Sequence, residues 1–125
     1  MKTETQRRPP INVLNSFISN YPSAQNLQWI IQDNCWKAVF EEELHHEIYY
    51  NEEGICLKSI AIFPEGTYPQ EFLRNIEGKI EITQINDLTL VCLSKSKNYI
   101  FNTVDKKSYR LTIMNDLSSV YLRKI

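Results

Sequence analysis

The feature that most constrains this chain is an alternation of period two that sets in after a short helical stretch, runs through several segments, stops, and begins again. Leu27, Trp29 and Ile31 alternate with Gln28, Ile30 and Gln32. Trp36, Ala38 and Phe40 alternate with Cys35, Lys37, Val39 and Glu41, and Leu44, His46, Ile48 and Tyr50 with His45, Glu47 and Tyr49. A fourth segment covers Ile55–Ile62. Successive side chains of a strand point to opposite faces, so each segment reads as half-buried. Asp33-Asn34 and Asn51-Glu52-Glu53-Gly54 are turn sequences, with Gly54 suited to a positive φ, and connections this short pair neighbouring strands antiparallel. Before the first strand, Pro9-Pro10 opens a helix, Ile11, Leu14, Phe17 and Ile18 form its expected apolar stripe, and Tyr21-Pro22 closes it.

Pro64-Glu65-Gly66 interrupts the pattern and the same order restarts. Thr67 or Tyr68 is the expected cap of a second helix with Pro69 in its first turn, Phe72, Leu73 and Ile76 as its stripe, and Gly78 at its end. Strands are expected at 80–85, 88–93, 99–104, 109–114 and 120–125, separated by short polar turns. Pro10 and Pro69 lie roughly 60 residues apart. The expected class is α+β, a tandem repeat of a short helix followed by an antiparallel β-meander. The helices would lie on one face of the sheet and the other face would stay open. The expected organisation is a disordered arm over 1–8 and one domain over 9–125, with repeat units 9–63 and 67–125.

Composition narrows the functional classes. A chain of 125 residues suits one domain. With 42% hydrophobic and 23% charged residues it has the balance of a globular protein. A net charge of -1 gives no field toward nucleic acid. The longest purely apolar run, Ile60-Ala61-Ile62-Phe63, cannot span a bilayer, so no membrane insertion is expected. Cys35, Cys56 and Cys92 leave one bridge with a spare thiol open, but their apolar settings favour three small buried hydrophobes. No apolar segment of signal-peptide type follows the charged start, so the expectation is either a cytoplasmic protein or one whose leader was removed before residue 1, with the initial Met leaning toward the first.

Few residues suggest chemistry. His45-His46-Glu47 is the one cluster that suggests a metal, yet adjacent strand residues face opposite ways and cannot share an ion. Glu41-Glu42-Glu43 reads as a charged turn that discourages edge pairing. Ser94, Ser96, Ser108, Ser118 and Ser119 lack a nucleophile-elbow setting, and 3 glycines cannot build a phosphate loop. Lys95, Lys97, Lys106 and Lys107 beside Tyr99 and Phe101 read as solubilising turns rather than a nucleic-acid contact. No catalytic residue, metal or cofactor is expected. Trp29, Trp36, Phe40, Ile48 and Tyr50 share one strand parity and are the expected core beneath the first helix. The opposite parity mixes apolar and charged residues, the makeup of a protein-binding surface. Its candidates are Ile30, Lys37, Val39, His45, Glu47, Tyr49 and Lys58.

The first half resembles the PepSY-like, β-lactamase-inhibitor-like domains of bacteria. The resemblance rests on Phe17, then Tyr21-Pro22-Ser23-Ala24, Leu27 and Trp29. It continues through Trp36-Lys37-Ala38-Val39-Phe40, Glu47-Ile48-Tyr49-Tyr50 and the turn Asn51–Gly54. It covers about residues 9–63; in the second half Lys79-Ile80-Glu81-Ile82 stands in place of the proline-alanine-tryptophan phrase. The resemblance implies a curved sheet, an exported or periplasmic location that contrasts with the missing leader, and a protein or peptide partner held on the open face, with inhibition as one outcome. It implies no catalytic residue. The alternatives are a small-ligand carrier or enzyme with a pocket between helices and sheet, and a module that self-associates through strand edges. A monomer or weak homodimer is expected.

Overall fold

The computed structural model describes residues 8–125. The arm expected over 1–8 therefore lies, apart from an exposed Arg8, outside the described residues. Among those residues are two α-helices and eight strands, and every recorded strand pairing is antiparallel. The class is α+β. The chain divides into two compact units, one ending at Lys58 and one spanning Ser59–Ile125.

In the first unit, helix α1 (Ile11–Asn20) opens on Pro10, whose carbonyl accepts from the amides of Val13 and Leu14 at 3.0 and 3.1 Å. It closes where the Tyr21 amide reaches the Phe17 carbonyl at 2.9 Å, one residue before Pro22. The buried face is Val13 and Phe17, spaced i and i+4. This corrects the expected stripe, because Ile11 and Ile18 are 66% and 60% exposed. Phe17 sets the rotation. Its ring meets Trp29, Phe40 and Tyr21 at 5.4, 4.9 and 5.7 Å between centroids. Ile18, one step of about 100° further round, is thereby turned to solvent.

Strands β1 (Gln25–Gln32), β2 (Cys35–Glu42) and β3 (Leu44–Tyr50) form a meander under α1. Asp33 and Asn34, both at positive φ (54° and 64°), make the two-residue turn whose twist suits a hairpin. Glu41 and Glu42 belong to β2 and only Glu43, at φ 65°, makes the next bend, so the expected three-glutamate turn shrinks to one residue. Trp36, Ala38, Phe40, Ile48 and Tyr50 are buried with Val13 and Phe17, and Trp29 packs against them partly exposed. Each large side chain buried there contributes roughly 1.5–3 kcal/mol.

The loop after β3 is tied by the Asn51 side-chain oxygen, which accepts from the amides of Glu53 and Ile55 at 2.9 and 3.0 Å. Gly54, at φ 85°, lies against α1, where the Ser16 hydroxyl donates to its carbonyl at 2.7 Å. Strand β4 (Cys56–Phe63) then crosses the boundary between the units.

In the second unit, Ser59–Phe63 pairs with β5 (Ile85–Cys92), followed by β6 (Ser96–Thr103), β7 (Ser108–Met114) and β8 (Val120–Lys124). Helix α2 (Gln70–Ile76) has Pro69 as its N-cap. Neither expected capping side chain acts as one: Thr67 donates to the Pro64 carbonyl at 2.7 Å and the Tyr68 hydroxyl to the Ile85 carbonyl at 3.1 Å. Gly78, at φ 79°, follows the helix end as expected. The strand expected over 80–85 is absent. The Ile80 amide bonds back to Ile76, Ile82–Gln84 is a 3-10 turn, and Ile85 begins β5. The short polar turn expected between 85 and 88 is instead an irregularity within β5, between Ile85 and Asp87. Phe72, Ile76, Ile85, Leu88, Tyr99, Phe101, Leu111 and Ile113 form this unit's core. The cysteines correct another expectation. All three are unbridged, Cys56 is exposed, and Cys35 and Cys92 are only half-buried, because they sit at strand ends rather than under a helix.

Candidate binding face

On the face of the first unit away from α1, strand register decides which side chains meet. Ile30 lies opposite Lys37, and Lys37 opposite Tyr49; Gln28 lies opposite Val39, and Val39 opposite Glu47; Glu41 lies opposite His45. The sequence candidates on β1, β2 and β3 thus fall into adjacent rungs, and Lys58 joins them from β4.

The polar members form a chain of contacts. The Lys37 ammonium is 3.2 Å from one Glu47 oxygen, and the other Glu47 oxygen is 3.3 Å from His45 Nε2. His45 Nδ1 lies 2.9 Å from Glu41 Oε2. Tyr49 is flanked by two cations, with Lys58 Nζ 4.6 Å and Lys37 Nζ 5.4 Å from its ring centroid. Cations over an aromatic face are held by the ring quadrupole, so the phenol ring sits in a fixed charged frame.

These contacts move the titrations. Hydrogen bonding to Glu41, aided by Glu47 and only partly opposed by burial, raises the His45 pKa. Burial would push Glu47 up, but the hydrogen bonds from Lys37 and His45 outweigh it and hold the carboxyl below its ordinary value. Burial acts to lower Lys37, and Glu47 and Tyr49 together raise it instead. His46 points the other way, stacked on Phe40 at 5.1 Å and 15°, with Nε2 3.0 Å from the Glu42 carbonyl. The two histidines cannot share an ion, and among the described residues no group of three or more His, Cys, Asp or Glu is arranged for a metal.

The other sequence candidates disperse. Lys97 is held by Glu71 at 2.8 Å, Tyr99 is buried and donates its hydroxyl to Glu71 at 2.9 Å, and Phe101 is in the core. The concavities among the described residues include two of similar size. One, of about 390 Å³, is lined by Leu73, Ile76, Ile80 and Ile82 with Glu77, Lys79 and Glu81. The other, of about 400 Å³, is lined by Ser23, Gln25 and Glu41–Glu43. Among the described residues no helix is long and apolar enough to cross a membrane.

No family model matches the sequence, and no curated protein matches it. Solved structures do. A BLIP-like protein from Bacteroides fragilis superposes with TM-score 0.66 at 12% identity, covering 98% of this chain and 91% of its own. A DUF2874 family protein from Bacteroides ovatus gives TM-score 0.62 at 18% identity over 94% of this chain and 89% of the other. Another, from Bacteroides uniformis, gives TM-score 0.60 at 11% identity over 94% and 90%. The fold is BLIP-like. At these identities the likeness is one of fold, and it supports the β-lactamase-inhibitor-like part of the sequence resemblance.

Glu41 is the member of this face that the sequence places both on the strand parity of Lys37 and Val39 and in a three-glutamate turn. Its signal was the register: a bend confined to Glu43 places Glu41 opposite His45.

Proposed function

We propose that this protein is a non-catalytic module that binds a protein or peptide partner on the open face of its first unit, with inhibition of that partner as one consequence. The observation that carries the reading is Tyr49 clamped between Lys37 and Lys58. Half-exposed Val39 and exposed Ile30 share its face. A rigid aromatic ring with pre-positioned charges and neighbouring apolar side chains is the composition of interface hot spots. The site would comprise Ile30, Lys37, Val39, His45, Glu47, Tyr49 and Lys58, with Glu41 added. The BLIP-like fold of the neighbours supports a partner-binding role by analogy. We also read residues 9–63 and 67–125 as two versions of one plan, which the paired order of proline-opened helix and antiparallel meander supports. The PepSY-like reading rests on the residue phrase of the first half.

The test is a photo-crosslinking residue placed at position 49 and, as a control, at the exposed Arg110, combined with Tyr49→Ala and Lys37→Glu in capture experiments. Adducts specific to position 49 and partners lost in both folded variants are expected. Capture unchanged by both substitutions would remove the reading. The apolar lining of the concavity at the end of α2 favours a second reading, a small apolar ligand. Ligand-dependent melting lost in Ile82→Glu would support that reading, and unaltered melting across a panel of apolar ligands would discard it.

A further inference from the structure

Strand β1 pairs only with β2 among the described residues, which leaves its outer edge unpaired. Exposed edges are templates for another strand, and proteins usually blunt them with charge, proline or a bulge. β1 has no charged residue, no proline and no glycine. Its single irregularity lies between Gln25 and Gln28, where Asn26 takes φ 58°, and the Asp33-Asn34 turn ends the strand on the other side. Between these limits lies Gln28-Trp29-Ile30-Ile31-Gln32, a run whose polarity reads the same in both directions about Ile30.

We propose that this edge pairs with the same edge of a second copy, about a two-fold axis perpendicular to the sheet at Ile30. In that register Ile30 faces Ile30, Trp29 faces Ile31, and Gln28 faces Gln32. Apolar thus meets apolar on both faces, each flanking amide meets an amide, and no charge opposes a charge. Ile30 and Ile31, 40% and 38% exposed in the single chain, gain cover. The register keeps parity, so the open faces of the two first units become continuous across the axis. Strand β8, which pairs only with β7 among the described residues, is five residues long and ends in Arg123 and Lys124, the usual protection of an edge, so pairing stops at two copies rather than extending into a filament. Five paired residues bury far less than the roughly 1,600 Å² of a standard interface, so a weak dimer is expected, with Kd of roughly micromolar to millimolar.

Because position 30 opposes itself, charge reversal tests the register directly. Sedimentation of the full chain from roughly 10 µM to 1 mM should show a monomer-dimer equilibrium. Ile30→Lys and Ile30→Glu, each checked for native circular dichroism, should both sediment as monomers across that range. Their equimolar mixture should recover the dimer. On the unmodified sequence, mixed isotope labelling should give a nuclear Overhauser contact between Ile30 methyl groups of different copies. A strictly monomeric protein at the top concentration, mass growing beyond two copies, or a mixture that stays monomeric would each overturn the proposal.

Discussion

Both ring nitrogens of His45 lie against carboxylates, Glu41 on one side and Glu47 on the other, so only the doubly protonated ring can donate to both. Its raised pKa means that this contribution is complete below the unfolded-state value of about 6.5 and fades as pH climbs through the higher folded value. A pH titration of the imidazole resonances should place His45 above 6.5, and Glu41→Gln should bring it down. A His45 that titrates at or below the ordinary value in the parent protein would contradict the clamp. Glycine positions give a second contrast. Gly54 and Gly66 have nearly equal φ, 85° and 87°, but a Cβ at Gly54 would lie 2.8 Å from the Asn12 carbonyl carbon and 2.9 Å from the Ser16 hydroxyl, while at Gly66 it would meet nothing. Gly66→Ala should cost only the left-handed backbone term, roughly 1–2 kcal/mol. Gly54→Ala should cost clearly more in denaturant unfolding, because α1 or the loop must also shift.

At the level of single elements, strands were far more legible than helix faces. A strand offers two faces, and the largely aromatic, charge-free parity Trp36, Phe40, Ile48, Tyr50 marks the inner one. A helix can be rotated continuously. The expected line Ile11, Leu14, Phe17 and Ile18 named Phe17 correctly but missed Val13, because the ring packing of Phe17 against Trp29 and Phe40 decides the rotation and turns Val13 inward and Ile11 and Ile18 outward. Calorimetry on two variants measures that decision: Phe17→Ala should lose about 3–5 kcal/mol, whereas Ile18→Ala should stay within about 0.5 kcal/mol. The segment 80–85 was misread for another reason. Its alternation is genuine, but Gly78 turns the chain just before it, and amides at Lys79 and Ile80 are taken by Ile76, which leaves a 3-10 turn where a ladder was expected. The candidate face was legible from parity alone. Glu41 carried two conflicting signals, its parity with Lys37 and Val39 and the three-glutamate run, and the one-residue bend at Glu43 decides for the strand.

For the molecule as a whole, acid stability should depend on carboxylates in both units. Glu71 is held below its ordinary value first by Lys97 and also by Tyr99, and Glu47 by Lys37 and His45. Groups with depressed pKa contribute above the unfolded value of about 4.5 and lose that contribution as pH falls through the folded value. Glu47→Gln and Glu71→Gln should therefore each flatten the loss of stability on acidification below about pH 4.5. A curve unchanged in both would count against these pairs. The distribution of fluorophores follows from the separate cores. The chain's 2 tryptophans, Trp29 and Trp36, both belong to the first core, whereas the second holds the tyrosines Tyr99 and Tyr109 at its heart or margin. Light absorbed selectively by indole consequently reports on one unit alone, while backbone dichroism averages over both. A melt followed by the two signals in one cuvette will show, by coincidence or separation of the curves, whether the units come apart together or in turn.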